Sequence, residues 1–201
     1  MAPGSTRIGL LGGTFDPPHV GHVIVAADVA DALDLDRVLW IPAAVPPHKQ
    51  DQSVTGGAVR LEMVEAACGA DERFQPSTVE LERPGVSYTV DTLRWLRDRS
   101  PDADLVLILG VDQFRTMETD WKEPEQVLRL ATLAVMDRDG ASARGAIPNV
   151  PGAEEATFVP VTRVDASSTR IRQAVSAGVD VSAQVPAAVL AIIEREGLYR
   201  G

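Results

Sequence analysis

Arg7-Ile-Gly-Leu-Leu-Gly-Gly-Thr-Phe-Asp-Pro-Pro-His-Val-Gly-His22 opens the regular structure of the chain and carries its first fold signal. The apolar run at 7–11 stops at Gly12-Gly13, as a buried strand does when it ends in a tight turn. Beyond the turn, Val20, Val23, Ile24, Ala27, Ala30 and Leu33 recur at helical spacing, which predicts a helix over 20–33. Strand, glycine turn and helix in succession mark the first unit of an α/β sheet with parallel strands.

The same alternation continues outward from this unit. Arg37-Val-Leu-Trp-Ile41 is a second buried strand stopped by Pro42, and 58–67 reads as a helix. A short strand is expected at 78–81. A helix follows over 90–99, with Leu93 and Leu96 inward and Pro101 ending it. Leu105-Val-Leu-Ile-Leu109 is the most apolar run and the best central strand. A short helix at 124–130 precedes strands at 133–136 and 157–161. Between those strands, 139–152 is rich in Gly, Ala, Ser and Pro and reads as a surface loop. Helices at 168–177 and 186–196 close the chain, Pro186 standing where a first helical turn tolerates it. With no repeat and no linker, the expectation is a single domain over 1–201. Its fold class is α/β: a doubly wound, Rossmann-like parallel sheet with helices on both faces and a helical C-terminal end. Ligands of such sheets sit beyond the carboxyl ends of the strands, so the residues following each strand carry the functional question.

Composition narrows the classes. The 201 residues are 45% hydrophobic and 24% charged, which is the balance of a globular protein. A formal net charge of −10 disfavours nonspecific binding to nucleic acid or to an anionic membrane, leaving room for a local basic pocket. Cys68 is the one cysteine, so neither an intramolecular disulfide nor a thiolate metal site is expected. A small buried apolar role in a helix suits it better than reactivity. No apolar run approaches the roughly 18 residues of a membrane span. The segment 1–11 lacks the long apolar core of a signal peptide, and a reducing cytoplasm is the expected setting.

The chemistry concentrates after the first strand. Gly12 and Gly13 let a ligand approach the backbone, and their amides suit phosphate oxygens. The loop is neither a dinucleotide fingerprint nor a Walker loop, since G-x-G-x-x-G and Gly-Lys-Ser/Thr are both absent from it. His19 and His22 stand three apart at a helix start, where both rings can face one side and meet an anion in a solvent-facing site. A lone histidine there is more often a cap or a packed core residue. Two of the chain's three histidines within four residues favour function. A metal site is a rival reading, with Asp16 as a further ligand and hydrolysis as the activity. The spacing is not H-E-x-x-H, and zinc wants three or four close ligands. A nucleotide-binding module without chemistry is the other rival.

The stretch Gly13-Thr-Phe-Asp-Pro-Pro-His-Val-Gly-His22 resembles the H-x-G-H signature of the nucleotidylyltransferase superfamily, and bacterial nicotinate-nucleotide adenylyltransferases in particular. Phosphopantetheine adenylyltransferases resemble it less. The resemblance implies transfer of AMP from ATP to a mononucleotide phosphate with release of pyrophosphate, and magnesium (Mg2+) bound mainly through ATP oxygens. It implies His19, His22 and Arg172 as the catalytic residues. Gly13, Thr14, Phe15 and His22 fall on the ATP side.

Other segments extend the likeness over nearly the whole chain, 139–165 excepted. Ser167-Ser-Thr-Arg-Ile-Arg172 is similar to the family's I-S-S-T-x-I-R, with Ala166 where Ile is usual. That match puts Ser168, Thr169 and Arg172 on the ATP phosphates and leaves Arg170 a surface charge. Gly110 and Asp112 match the adenosine-side G-x-D. Trp40-Ile-Pro-Ala-Ala-Val-Pro-Pro-His-Lys49 ends in the family's P-P-H-K, which implies Lys49 on the mononucleotide phosphate. Arg83-Pro-Gly-Val-Ser-Tyr-Thr-Val-Asp-Thr-Leu93 resembles S-Y-T-x-D-T-L and implies Tyr88 and Thr89 as substrate contacts. Trp121 matches the tryptophan stacked on the pyridine ring. Arg138 matches an R-P-G arginine, with Asp139 replacing the proline.

The expected substrates are therefore ATP and nicotinate mononucleotide, with nicotinamide mononucleotide and phosphopantetheine as the nearest rivals. The attacking phosphate is already a dianion near neutral pH, its second pKa being about 6. It needs no general base and no covalent intermediate. A homo-oligomer is compatible with the sequence, which does not specify oligomeric state.

Overall fold

The computed structural model describes residues 5–44, 54–137 and 147–200. Six strands, β1 (Arg7–Gly13), β2 (Arg37–Pro42), β3 (Phe74–Pro76), β4 (Asp104–Gly110), β5 (Thr132–Asp137) and β6 (Thr157–Pro160), form one sheet in the order β3-β2-β1-β4-β5-β6. All five pairings are parallel, from Val38↔Phe74 through Leu11↔Trp40 and Leu11↔Ile108 to Val135↔Phe158. Strand order reverses between β1 and β4, and the crevice of a doubly wound sheet opens at that switch point.

Burial on both faces explains why the strands are apolar throughout. Alternate side chains divide between two core layers. Leu11, Val38, Trp40, Val106 and Ile108 join α1 (Val20–Ala32), α2 (Gly57–Cys68), α7 (Ser168–Ser176) and α8 (Ala187–Arg195). Ile8, Leu10, Leu105, Leu107, Leu109 and Val135 join α3 (Thr89–Arg99), α4 (Val111–Arg115), α5 (Met117–Asp120) and α6 (Pro124–Leu130). Truncating a fully buried anchor such as Leu93 to Ala would cost about 2–5 kcal/mol. Cys68 is buried at the end of α2, where burial pushes its thiol up to about 12.

Three sequence expectations change, and two short helices are added to them. The segment 78–81 is a turn, with Glu82 donating its N–H to the Thr78 carbonyl at 3.0 Å, and the sheet edge is Phe74–Pro76 instead. Val79 is buried beneath that turn and produces the apolar signal that mimics a strand. The helices α4 and α5 are too short to show a period in sequence. In α1 the buried residues are Gly21, Val25, Ala26, Val29 and Ala30, a stripe displaced from the expected one; a helix apolar nearly all round does not declare its inner face. Within the expected loop, the described part buries Val150 before a 3₁₀ turn at Ala153–Glu155.

Candidate active site

The Gly12-Gly13 end of β1 and the Gly110 end of β4 border the crevice. From Gly13 the chain enters an unusual turn. Phe15 has φ 50°, a left-handed conformation that costs a residue with a side chain roughly 1–2 kcal/mol. Its ring is buried, stacking on Trp40 with centroids 5.3 Å apart and meeting His22 edge-on at 5.1 Å. Burying such a ring contributes about 1.5–3 kcal/mol, enough to offset the backbone conformation. Asp16-Pro17 is a cis peptide bond.

His19 is the N-cap of α1, and its ring and that of His22 stack at 3.7 Å between centroids. The backbone N–H of His19 donates to Nδ1 of His22 at 3.2 Å. An ideal Cβ on Gly21 would lie 3.0 Å from Nδ1 of His19, so a larger residue there would push the first ring by a few tenths of an ångström. The solvent-facing expectation holds for His22, which is half-buried, and fails for His19, which is 6% exposed.

Three distant side chains hold the carbonyls of this turn. Arg60 of α2 donates Nη1 to the Thr14 carbonyl at 2.8 Å, Arg172 of α7 donates Nη1 to the Asp16 carbonyl at 2.8 Å, and Ser168 donates Oγ to the Pro17 carbonyl at 2.8 Å. Ser168 therefore spends its one hydroxyl proton on the loop. The groups of α7 left to face an anion are the backbone N–H of Ser168 and Thr169, the Thr169 hydroxyl and the remaining donors of Arg172. Ser167 caps the helix by accepting from the Arg170 N–H, and Arg170 pairs with Asp165 at 2.7 Å as a surface ion pair.

A depression of about 160 Å³ lies alongside, with Ser87, Tyr88, Thr89, Asp120, Trp121 and Lys122 in its wall. It is tied to the turn through the residues that follow β2. Ala43 donates its N–H to the Gly13 carbonyl at 2.9 Å, and Ala44 donates to Oγ of Ser87 at 3.0 Å. Tyr88 is the N-cap of α3, so the first amides of that helix, at Thr89 and Val90, lack intrahelical partners. The ammonium of Lys122 sits 4.7 Å from the centroid of the Tyr88 ring and pairs with Asp91 at 3.1 Å. Gly110 and Asp112 lie at the end of β4 and the exposed start of α4.

The fold thus brings Gly13, Thr14, Phe15, His19, His22, Ser168, Thr169 and Arg172 together, and places Tyr88, Thr89 and Trp121 around the neighbouring depression. Lys49 and Arg138 lie outside the described residues. Sequence reasoning passed over Arg60, Ser87, Lys122 and Tyr199. For Arg60 a signal exists: it shares helical spacing with the buried Met63, Val64 and Ala67, so a charged residue occupies an inward position. Burial holds its guanidinium below the ordinary arginine value, the charge of Asp16 opposing that effect. Asp16, read in sequence as a spare metal ligand, accepts from the Tyr199 hydroxyl at 2.6 Å and from the Thr55 N–H at 3.3 Å. Among the described residues, no group of three or more His, Cys, Asp and Glu side chains is arranged to hold a metal ion. Nor is any described helix long and apolar enough to cross a membrane.

A doubly wound sheet carrying an H-x-G-H turn at its switch point defines a nucleotide-binding α/β protein of the nucleotidylyltransferase class. The Cytidylyltransferase-like family model matches residues 10–174. A probable nicotinate-nucleotide adenylyltransferase of Thermus thermophilus is 46% identical over 195 residues, covering 96% of this chain and 100% of the relative. One from Shouchella clausii is 39% identical over 193 residues, covering 96% of each. In three dimensions the chain is similar to Plasmodium falciparum nicotinic acid mononucleotide adenylyltransferase complexed with NaAD, with TM-score 0.77, 16% identity and coverage of 96% and 97%. The chain belongs to the cytidylyltransferase-like family and, within it, to the nicotinate-nucleotide adenylyltransferases.

Proposed function

We propose that this chain transfers the adenylyl group of ATP to the phosphate of nicotinate mononucleotide, forming deamido-NAD and pyrophosphate in NAD biosynthesis. The observation that carries this reading is the pairing of two half-sites. A phosphate-suited turn and helix start, at 13–22 and 168–172, adjoin a ring-sized depression bounded by Tyr88 and Trp121. The pyridine mononucleotide lies in the depression and ATP along the turn, with its adenosine toward Gly110 and Asp112.

A phosphate oxygen of the mononucleotide attacks the α-phosphorus of ATP as the bond to the bridging oxygen of pyrophosphate breaks. The nucleophile is ionised already, so the protein aligns two polyanions and stabilises charge on the leaving group. His22 offers Nε2–H, because Nδ1 accepts from the His19 backbone. The Ser168 and Thr169 amides and Arg172 supply the opposing donors. Magnesium is assigned to the ATP substrate, whose phosphate oxygens and waters are the hard ligands it prefers. Lys49 and Arg138 are assigned to the mononucleotide phosphate by the family likeness. The lone buried thiol of Cys68 suits a reducing cytoplasm.

One wall residue favours a second reading. The Asp120 carboxylate would accept from an amide NH₂, as nicotinamide mononucleotide requires, whereas Lys122 and the Thr89 and Val90 amides favour a carboxylate. Pyrophosphate release with MgATP and nicotinate mononucleotide, nicotinamide mononucleotide, phosphopantetheine or no acceptor separates the readings. Release dependent on nicotinate mononucleotide is expected. Release that depends only on phosphopantetheine, or that needs no acceptor, overturns the proposal.

A further inference from the structure

The turn between β1 and α1 is held from behind by a residue near the far end of the chain. After α8, left-handed backbone at Gly197 and again at Tyr199, with φ 60° and 61°, swings the tail back over the first core layer. The Tyr199 hydroxyl then donates to Oδ1 of Asp16 at 2.6 Å. Asp16 is 4% exposed, and its Oδ2 accepts from the Thr55 N–H at 3.3 Å. The Thr55 carbonyl in turn accepts Nε of Arg60 at 2.8 Å, and Nη1 of Arg60 holds Thr14. Tyr199, Asp16, Thr55, Arg60 and Thr14 therefore form one continuous chain of hydrogen bonds, with the left-handed Phe15 spanned between Thr14 and Asp16.

We propose that Tyr199 is a positioning residue for ATP: its phenol orients Asp16, and through Asp16 and Arg60 it fixes the Thr14–Asp16 backbone that faces the nucleotide. This rests on the adenylyltransferase reading above. Two observations argue against a purely structural tie. The hydroxyl reaches a carboxylate inside the turn, although Asp16 already has a second donor in Thr55. The backbone carbonyl of the same residue is also gripped by Arg172, from the helix assigned to the phosphates. Loosening Asp16 thus shifts the Arg172 contact as well as the turn.

Tyr199→Phe keeps the ring and removes only the hydroxyl. Steady-state constants for both substrates, the Kd of a non-hydrolysable ATP analogue and the melting temperature test the role, with Asp16→Asn and the double variant alongside. The expected result for Tyr199→Phe is a five- to thirtyfold fall in kcat/KM for ATP, a weaker analogue Kd, and a KM for the mononucleotide within twofold of the parent. The double variant should be no worse than Asp16→Asn alone. Parent-like ATP constants in Tyr199→Phe at a temperature well below melting, whether or not the melting temperature falls, overturn the proposal. So do fully additive losses in the double variant. A parent protein that binds the analogue yet releases no pyrophosphate refutes the adenylyl-transfer reading instead, and the analogue Kd still tests Tyr199.

Discussion

Nδ1 of His22 accepts the backbone N–H of His19 at 3.2 Å, inside a pair of rings stacked 3.7 Å apart. A neutral imidazole accepting at one nitrogen carries its proton on the other, so this bond makes His22 a donor at Nε2. Capping and chemistry are then one arrangement: the same contact that satisfies an N-terminal amide of α1 sets the tautomer.

His22→Ala should lower kcat by two or more orders of magnitude, corresponding to loss of one preorganised donor worth roughly 3 kcal/mol. His22 is half-buried, so the variant should remain folded. His19→Ala should lower both activity and melting temperature, because the His19 ring is buried and stacks on that of His22. Pyrophosphate release measured beside thermal melts checks both; a folded His22→Ala protein with near-parental turnover removes the proposed role.

Arg172 already holds the Asp16 carbonyl through Nη1 and approaches Oγ1 of Thr169 through Nη2 at 3.4 Å. Lysine keeps the charge but cannot hold the turn and reach a phosphate together. Arg172→Lys should weaken ATP use with little change in melting temperature. Unchanged ATP kinetics would mark Arg172 as a structural tie only.

Trp121→Ala should raise KM for the pyridine substrate more than KM for ATP, since the ring borders the depression and not the turn. In the parent, donors aimed at a carboxylate leave an amide NH₂ poorly paired, a penalty of roughly 1–3 kcal/mol. At least about a tenfold preference for nicotinate over nicotinamide mononucleotide follows. Specificity constants that are equal, or that favour the amide, contradict it.

Glu80 gives a prediction about stability alone. It is buried, accepting from Oγ1 of Thr92 at 2.7 Å, and burial raises its carboxyl above the ordinary value while the Thr92 hydroxyl and Arg83 oppose the shift. A raised folded pKa means that the folded state binds the proton more tightly than the unfolded chain. Its contribution is fully present below the ordinary carboxylate range and is lost as pH rises through the folded value. Glu80→Gln should therefore gain in melting temperature relative to the parent as pH rises from about 4 to about 8, at about 2–4 °C per kcal/mol. A difference that stays constant across that range shows that ionisation of Glu80 does not matter.

Periodicity and glycine punctuation are local properties, and they were sufficient for the strands β1, β2, β4, β5 and β6, for the long helices, and for the class of sheet. The H-x-G-H turn and the Ser167–Arg172 helix start were legible as motifs through the family resemblance, and the fold brings the two segments together. Strand order, the sheet edge at Phe74–Pro76 and the inner face of α1 were not legible, since each depends on which surfaces meet once the sheet has formed. The same reason hid the supports of the site. Arg60 lies 46 positions from Thr14 and Tyr199 lies 183 from Asp16, and a hydrogen bond across such a separation leaves no spacing to read. Only tertiary packing, by burying Phe15 and Asp16 and excluding water from the turn around them, makes these distant side chains its available donors.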